Sequence, residues 1–222
     1  FQTDAFGEVS ANFEARYNDA GQMLLNARYT GSGADAGVVL NGSDSFVSTP
    51  AGFCVRAINS ANVSGACPTA DSTCNAFVAA GVPFTVNVTP VAWESNSDAD
   101  FCTGNGNTPN YSQNQLSLSA QLIAPSPGAA GTVTITPETF NVVSGGQVTL
   151  ANAVTESEVG VMNLGVVAPA NAYYGATVPS GTNFAVGRFI PHHFTVVGNT
   201  PELANAGACA FSYRGQTFGF KV

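Results

Sequence analysis

Apolar and polar residues alternate with a period of two in several stretches of the chain, as expected of strands that bury one face. In "LSLSAQL" (Leu116 to Leu122), Leu116, Leu118, Ala120 and Leu122 fall on one side and Ser117, Ser119 and Gln121 on the other. "PFTVNVTPVAW" (Pro83 to Trp93) turns Phe84, Val86 and Val88 inward. Its Pro90 has no N–H to give to a ladder, which predicts a bulge or an edge position there. "VSANFEARY" (Val9 to Tyr17) alternates in the same way, and "TVTIT", "TFNVV" and "QVTLA" are shorter strands between Pro-Glu and Ser-Gly-Gly turns. Only Ala151 to Val161 admits a brief helix, and nothing sustains a 3.6-residue period. The expected fold is all-β, an antiparallel sandwich.

The pattern also repeats. "DAGQMLL" from Asp19 and "EVGVMNL" from Glu158 share acid, Gly, Met and Leu at an offset of 139 positions. "PAGFCV" from Pro50 and "PHHFTV" from Pro191 share Pro, Phe and Val at an offset of 141. "FVAAGVPFTVNV" from Phe77 and "FSYRGQTFGFKV" from Phe211 share Phe, Gly, Phe and Val at an offset of 134, with Cys74 and Cys209 just ahead of them. The blocks keep their order, which predicts tandem immunoglobulin-like sandwiches with a repeat of about 140 residues. On this reading residues 1–50 are the C-terminal part of a first unit, 51–197 a complete unit and 198–222 the start of a third. The complete unit holds about eight strands, close to the immunoglobulin number. The flanking pieces hold about four and about two, too few for independent sheets, and exposed edges of that kind invite strand donation between copies. The acid-x-Gly element is expected at a corner between sheets, with Gly at positive φ and the acid accepting hydrogen bonds from turn amides.

Composition narrows the partners. Charged residues make up 9% of the 222 positions, with a single lysine, Lys221, and a formal net charge of −8. That surface repels nucleic-acid phosphates and anionic lipid alike. No apolar run is long enough to span a membrane, and an export signal would have been removed or lie upstream.

"AAGVPFTVNVTPVAW", "TPNYS", "ESEVGVMNL", and "VGRFIPHHFTV" followed by "CAFSYRGQTFGF" resemble the repeat region of MshQ-like proteins. These are large surface proteins associated with biogenesis of the mannose-sensitive haemagglutinin type IV pilus in Gram-negative bacteria. The resemblance covers roughly Phe77 to Val222 and reaches the first 50 residues through the repeat. It implies an exported, pilus-associated, adhesive protein located on the cell surface or pilus, and it implies no chemistry. The family carries an acidic residue where this chain has His192.

Five cysteines, Cys54, Cys67, Cys74, Cys102 and Cys209, fit neither a zinc module nor a C-x-x-C motif and read as disulfides. Cys209 matches only Cys74, so a bridge shared between units runs downstream, which favours Cys74–Cys102 with Cys54–Cys67. The competing pattern is Cys67–Cys74 with Cys54–Cys102. His192 and His193 stand where the first copy has Ala51 and Gly52, so they are read as lying at a loop-to-strand junction or between domains and not as a metal site. Glu94, Asp98 and Asp100 form an acidic loop whose oxygens suit calcium, although the spacing is not an EF-hand and solvated acidic loops are common. Glu156 or Glu158 is a candidate partner for Arg188. No nucleophile elbow occurs, and nothing singles out Glu94, Glu138, Glu156 and Glu158 as a glycosidase pair, so no catalytic residue and no cofactor is assigned. The four sequons at Asn41, Asn62, Asn87 and Asn110 are read as chance in a bacterial chain.

Three functions follow in order of expectation: a stalk or filament subunit in contact with its own copies or with pilus components, a glycan- or protein-binding adhesion module, and, remotely, an extracellular hydrolase. A stalk predicts no exposed aromatic cluster. A glycan binder predicts Trp93, Tyr111, Tyr173 or Tyr174 at a loop tip.

Overall fold

The computed structural model describes residues 2–3, 9–10, 14–143, 145–180, 184–195 and 211–219. Two short strands, β1 (Gln2–Thr3) and β2 (Val9–Ser10), pair antiparallel, and a long hairpin joins β3 (Gly21–Thr30) to β4 (Val39–Ser48). Then come β5 (Gly52–Ile58), β6 (Phe84–Val91), β7 (Gln113–Ala124), β8 (Val133–Ile135), β9 (Phe140–Val142), β10 (Val148–Glu156), β11 (Gly160–Val167) and β12 (Phe184–Phe189). These eight build two antiparallel sheets, ordered β5-β6-β10-β8 and β12-β11-β7-β9. Counted without β9, the first, second, fifth and fourth strands share one sheet and the seventh, sixth and third the other, which is the immunoglobulin order with β9 added beside β7.

The alternating residues face each other between the sheets. Phe84, Val86 and Val88 of β6 are fully buried, as are Leu116 of β7 and Met162 of β11. Pro90 pairs with Phe53 of β5 but lies beyond the point where β10 begins, opposite Val88, so its missing N–H breaks no ladder. Ala151 to Val161 is not helical: it is the end of β10, a turn and the start of β11, and Asn152 at φ 49 marks a bulge in β10. Of Val9 to Tyr17, Val9 and Ser10 form strand, Glu14 to Tyr17 do not, and the rest lies outside the described residues. The two strands expected near the C-terminus are not formed by residues 211–219, and their remaining positions lie outside the described residues.

A third layer of pairing closes the sandwich on one side. The connection from β5 to β6 crosses to β12, where Cys67 N donates to Ala185 O (2.9 Å) and Ala66 bridges Val186. Further on it returns alongside the same edge in parallel, with Phe77 N donating to Arg188 O (2.9 Å) and Ile190 N to Val78 O (3.1 Å). Phe77 thereby meets Phe84 and Phe189, with ring centroids 5.5 to 5.8 Å apart, joining this connection to both sheets. Gly81, at φ 79, makes the turn between Phe77 and Phe84 and donates its N–H to Glu156 O (2.7 Å). In the second copy of the Phe-x-x-x-Gly-x-x-Phe block, Gly215 has nearly the same φ, 84.

The other repeated block is equally regular. Gly21 opens β3 at φ 148 opposite Ser48, and Gly160 opens β11 at φ 128 opposite Phe189. The β3–β4 hairpin therefore has the starting register of β11–β12, and Pro50 and Pro191 each stand two residues past the end of that pairing. The turn amides before Gly160 go to Glu156 rather than Glu158: its Oε1 accepts from Glu158 N at 3.1 Å. Glu156 is fully buried, its Oε2 has no partner, and it forms no pair with Arg188, whose Nε is likewise unpartnered. Gly131 packs so closely that a Cβ there would collide with Oε1.

Burial pushes the Glu156 carboxyl above its ordinary value, against the lowering effect of the Glu158 and Ser157 amides. Since the folded value lies above the unfolded one, the protonated form carries the stability. That stability is complete below the unfolded value and is lost as pH rises through the folded one. Glu156→Gln is therefore expected to stabilise the fold near neutral pH by about 1–2 kcal/mol, with the gain vanishing under acidic conditions. Urea denaturation across that pH range measures it.

Candidate functional site

One end of the sandwich gathers the β6–β7 loop (residues 92–112), the turn before β10 (143–147) and the β11–β12 loop (168–183). The preceding hairpin enters at this end. Ala20 is 1% exposed and belongs to the same core as Phe53, Tyr111 and Tyr173. Asp19 Oδ1 accepts from its neighbour Ala20 N (2.7 Å) and, across the junction, from Asn110 N (3.1 Å). Ser48 Oγ donates to Asp19 O (2.8 Å), and Ala51 N to Val91 O (2.8 Å), so both strands of the hairpin are tied down. The first acid of the acid-x-Gly repeat is thus a clasp between hairpin and sandwich.

Of the aromatic residues considered for a loop tip, Tyr111 and Tyr173 are buried in the junction and Trp93 and Tyr174 are exposed. Tyr111 packs on Phe53 and Tyr173, and its hydroxyl donates to Gln113 Oε1. Burial raises both phenols, with Tyr173 pushed up to about 12, helped by Tyr174, Asp19 and Tyr17 nearby. Trp93 Nε1 donates to Asn96 Oδ1 (3.3 Å).

The acidic loop spends its carboxylates on its own turns. Asp98 accepts from Asp100 N and Asn105 Nδ2, and Asp100 from Cys102 N and Thr103 Oγ1. Glu94 folds against Gly104, whose missing Cβ leaves room for its carboxylate. Among the described residues, no three His, Cys, Asp or Glu side chains are grouped to hold a metal ion. Glu94 follows the end of β6, whereas Glu156 ends β10 beyond the start of β6, so the two stand at opposite ends of the sandwich. His192 and His193 are exposed, with their Nδ1 atoms 3.0 Å apart.

The favoured disulfide pairing is corrected. The bonds are Cys54–Cys102 and Cys67–Cys74, with Cα atoms 4.7 and 5.5 Å apart. Cys54 alternates with the inward Phe53 and Val55, so it sits on the outer face of its sheet, where the β6–β7 loop folds back over it. Cys67 and Cys74 flank the two passes that line β12, and their bridge holds those passes together. Asp71 shapes this short loop by accepting from Thr73 N, Thr73 Oγ1 and Thr69 Oγ1, which lowers its carboxyl. Cys209 lies outside the described residues. Sequence reading missed Arg56, whose Nη2 donates to Cys102 O (2.8 Å), and the burial of Ala20; the outward phase of Cys54 and Arg56 was the only available signal for the first.

Two outcomes are expected. Peptide mapping without reduction returns Cys54–Cys102 and Cys67–Cys74. In an alkaline titration followed by phenolate absorbance, Tyr111 and Tyr173 ionise last. Their raised values mean stability is complete below the unfolded phenol value, about pH 10, and is lost as pH climbs through the folded values. Tyr173→Phe therefore unfolds at a higher pH.

The family models cut the chain inside the β5–β12 sandwich, not at its ends. Three consecutive segments match models of one family: residues 4–43 the first Ig-like domain of DUF6701, a domain of unknown function, 49–155 its second domain and 158–222 its third. The boundary between the second and third segments falls in the turn between β10 and β11. No curated protein and no solved structure matches the chain. With nearly its whole length accounted for by these three models, the chain belongs to the DUF6701 family.

Proposed function

We propose that this chain is part of a tandem immunoglobulin-like stalk on the bacterial cell surface, associated with a pilus, which projects and presents its loops for adhesion. The observation that carries the reading is the clasp at Asp19 and Ala20, which builds one repeat into the end of the next. A flexible tether between beads would leave that alanine exposed and Asn110 unpaired. Two disulfides fit an oxidising compartment, and the acidic surface keeps neighbouring copies from coalescing. The resemblance to MshQ-like proteins supplies the pilus. Copies of the same chain or pilus components are the partners this reading calls for.

Adhesion by the loops has its own support. Trp93 and Tyr174 are 56% and 62% exposed at the loop end, an arrangement suited to stacking on a ligand.

Labelling of intact bacteria with antibody to this region tests the location; signal only after permeabilisation would remove the surface reading. The joint is tested by small-angle scattering of the chain and of Ala20→Asp, which forces a charge into the core. The variant is expected to widen the distribution of sizes while β5–β12 stay folded. An unchanged profile would mean that the clasp does not stiffen the joint.

A further inference from the structure

The β6–β7 loop does not lie flat on the sheet that it covers. Its base is pinned where Ala92 N donates to Gly106 O (2.7 Å) and Val91 bridges Asn107. Its far side is pinned by Cys54–Cys102 and by Arg56. Between these anchors a cleft of about 340 Å³ remains over the outer faces of β5 and β6, within the size range of small-ligand sites.

The lining has an unusual character for this chain. Asn87 and Thr89 rise from β6, Asn105 and Asn107 come from the loop, and Gln147 closes one end. Phe101 supplies an apolar ring. Arg56 is the one charged residue lining it, and no carboxylate lines it, although the chain has 14 acidic residues against 6 basic ones. Arg56 uses Nη2 on the Cys102 carbonyl, and its remaining donors have no partner among the described residues. Asn87 Oδ1 takes the Thr149 hydroxyl (2.7 Å), which leaves its amide N–H groups to give.

We propose that this cleft binds a carboxylate-bearing sugar, a uronic or sialic acid unit within a glycan. Amide side chains both donate and accept, as sugar hydroxyls do, so they match a polyol better than a purely apolar or a purely charged ligand. A ring such as Phe101 packs on the C–H face of a pyranose. The guanidinium recognises a carboxylate through paired N–H donors, and no carboxylate shares the cleft lining with it. The proposal rests on the adhesive reading for its biological setting, but the site is separate from Trp93 and Tyr174.

The test is a titration of the isotopically labelled full chain, followed by backbone amide signals, with a galacturonate trimer, with sialyllactose and with the methyl ester of the trimer. Shifts centred on Asn87, Thr89 and Asn107 with either acid sugar support the proposal, and which of the two binds identifies the source of the carboxylate. Binding should weaken at least about tenfold for the ester and for Arg56→Gln, the loss of one charge-assisted pair. Thr89→Tyr fills the cleft from an outward strand position and should abolish binding, while its spectrum reports whether the sandwich is intact. Absence of these shifts, equal binding of the ester, or equal binding by folded Arg56→Gln overturns it. So does capture of a peptide C-terminal carboxylate in place of the sugars. Attachment of intact cells that is lost with Trp93→Ala and Tyr174→Ala but kept with Arg56→Gln removes the cleft and spares the adhesive reading. Attachment indifferent to all three substitutions removes that reading.

Discussion

The contact among Phe77, Phe84 and Phe189 is the constraint from which the remaining geometry follows. A sandwich of two four-stranded sheets has open sides, and an uncovered edge such as that of β12 pairs readily with another chain. Here the β5–β6 connection covers that edge twice, once antiparallel at Ala66 and once in parallel from Phe77. Burying each ring contributes about 1.5–3 kcal/mol, enough to hold a long connection that a few backbone bonds alone would not. Gly65 belongs to the same arrangement, since a Cβ there would sit 2.9 Å from the Phe77 ring. The short strands β8 and β9 need no such cover, because three residues offer little template for pairing.

With its side closed, the sandwich is able to use its two ends differently. At the end of β10, Gly81 reaches the Glu156 carbonyl, and the buried Glu156 carboxyl keeps one oxygen without a partner. The arrangement costs stability, in the same way that any buried group without a full set of partners does. At the opposite end the loops combine packing with polar anchors. Tyr111 and Tyr173 are buried in the core, while the Asp98 and Asp100 turns, the Cys54–Cys102 bond and the Gly145 N–H on Pro109 O (2.8 Å) hold the outer parts. A rigid frame carrying polar loops fixed at a few points is the general design of a binding end.

The sequence announced the features that obey a short period or recur. The inward phase of Leu116 to Leu122 and of Phe84 to Val88 was readable because alternate positions on one strand need no knowledge of the partner strand. The glycine of the acid-x-Gly element was readable as a corner needing positive φ, which Gly21 and Gly160 adopt. What required the third dimension was lost. Cys74 pairs seven residues upstream because two passes along β12 bring it there, and repeat symmetry alone pointed it downstream. Ala151 to Val161 has helix-compatible residues, but β6 and β8 claim its first half as a central strand. Ala20 is buried only because another repeat's core receives it, and the Arg56 cleft exists only because a loop folds back over its own sheet.

Comparing the two copies inside one chain separates frame from specialisation. What both copies keep are the acid-x-Gly corner, the proline after the hairpin and the Phe-Gly-Phe turn, and each holds a joint, a junction or the seam. None of them carries side-chain chemistry toward solvent. The positions that differ include Ala51-Gly52, where β5 begins, against the exposed His192-His193. Any activity the chain has must then lie in what the frame supports rather than in the frame. Within the sandwich that means the loop end, whose polar lining, exposed aromatics and disulfide anchoring are features the frame itself does not need.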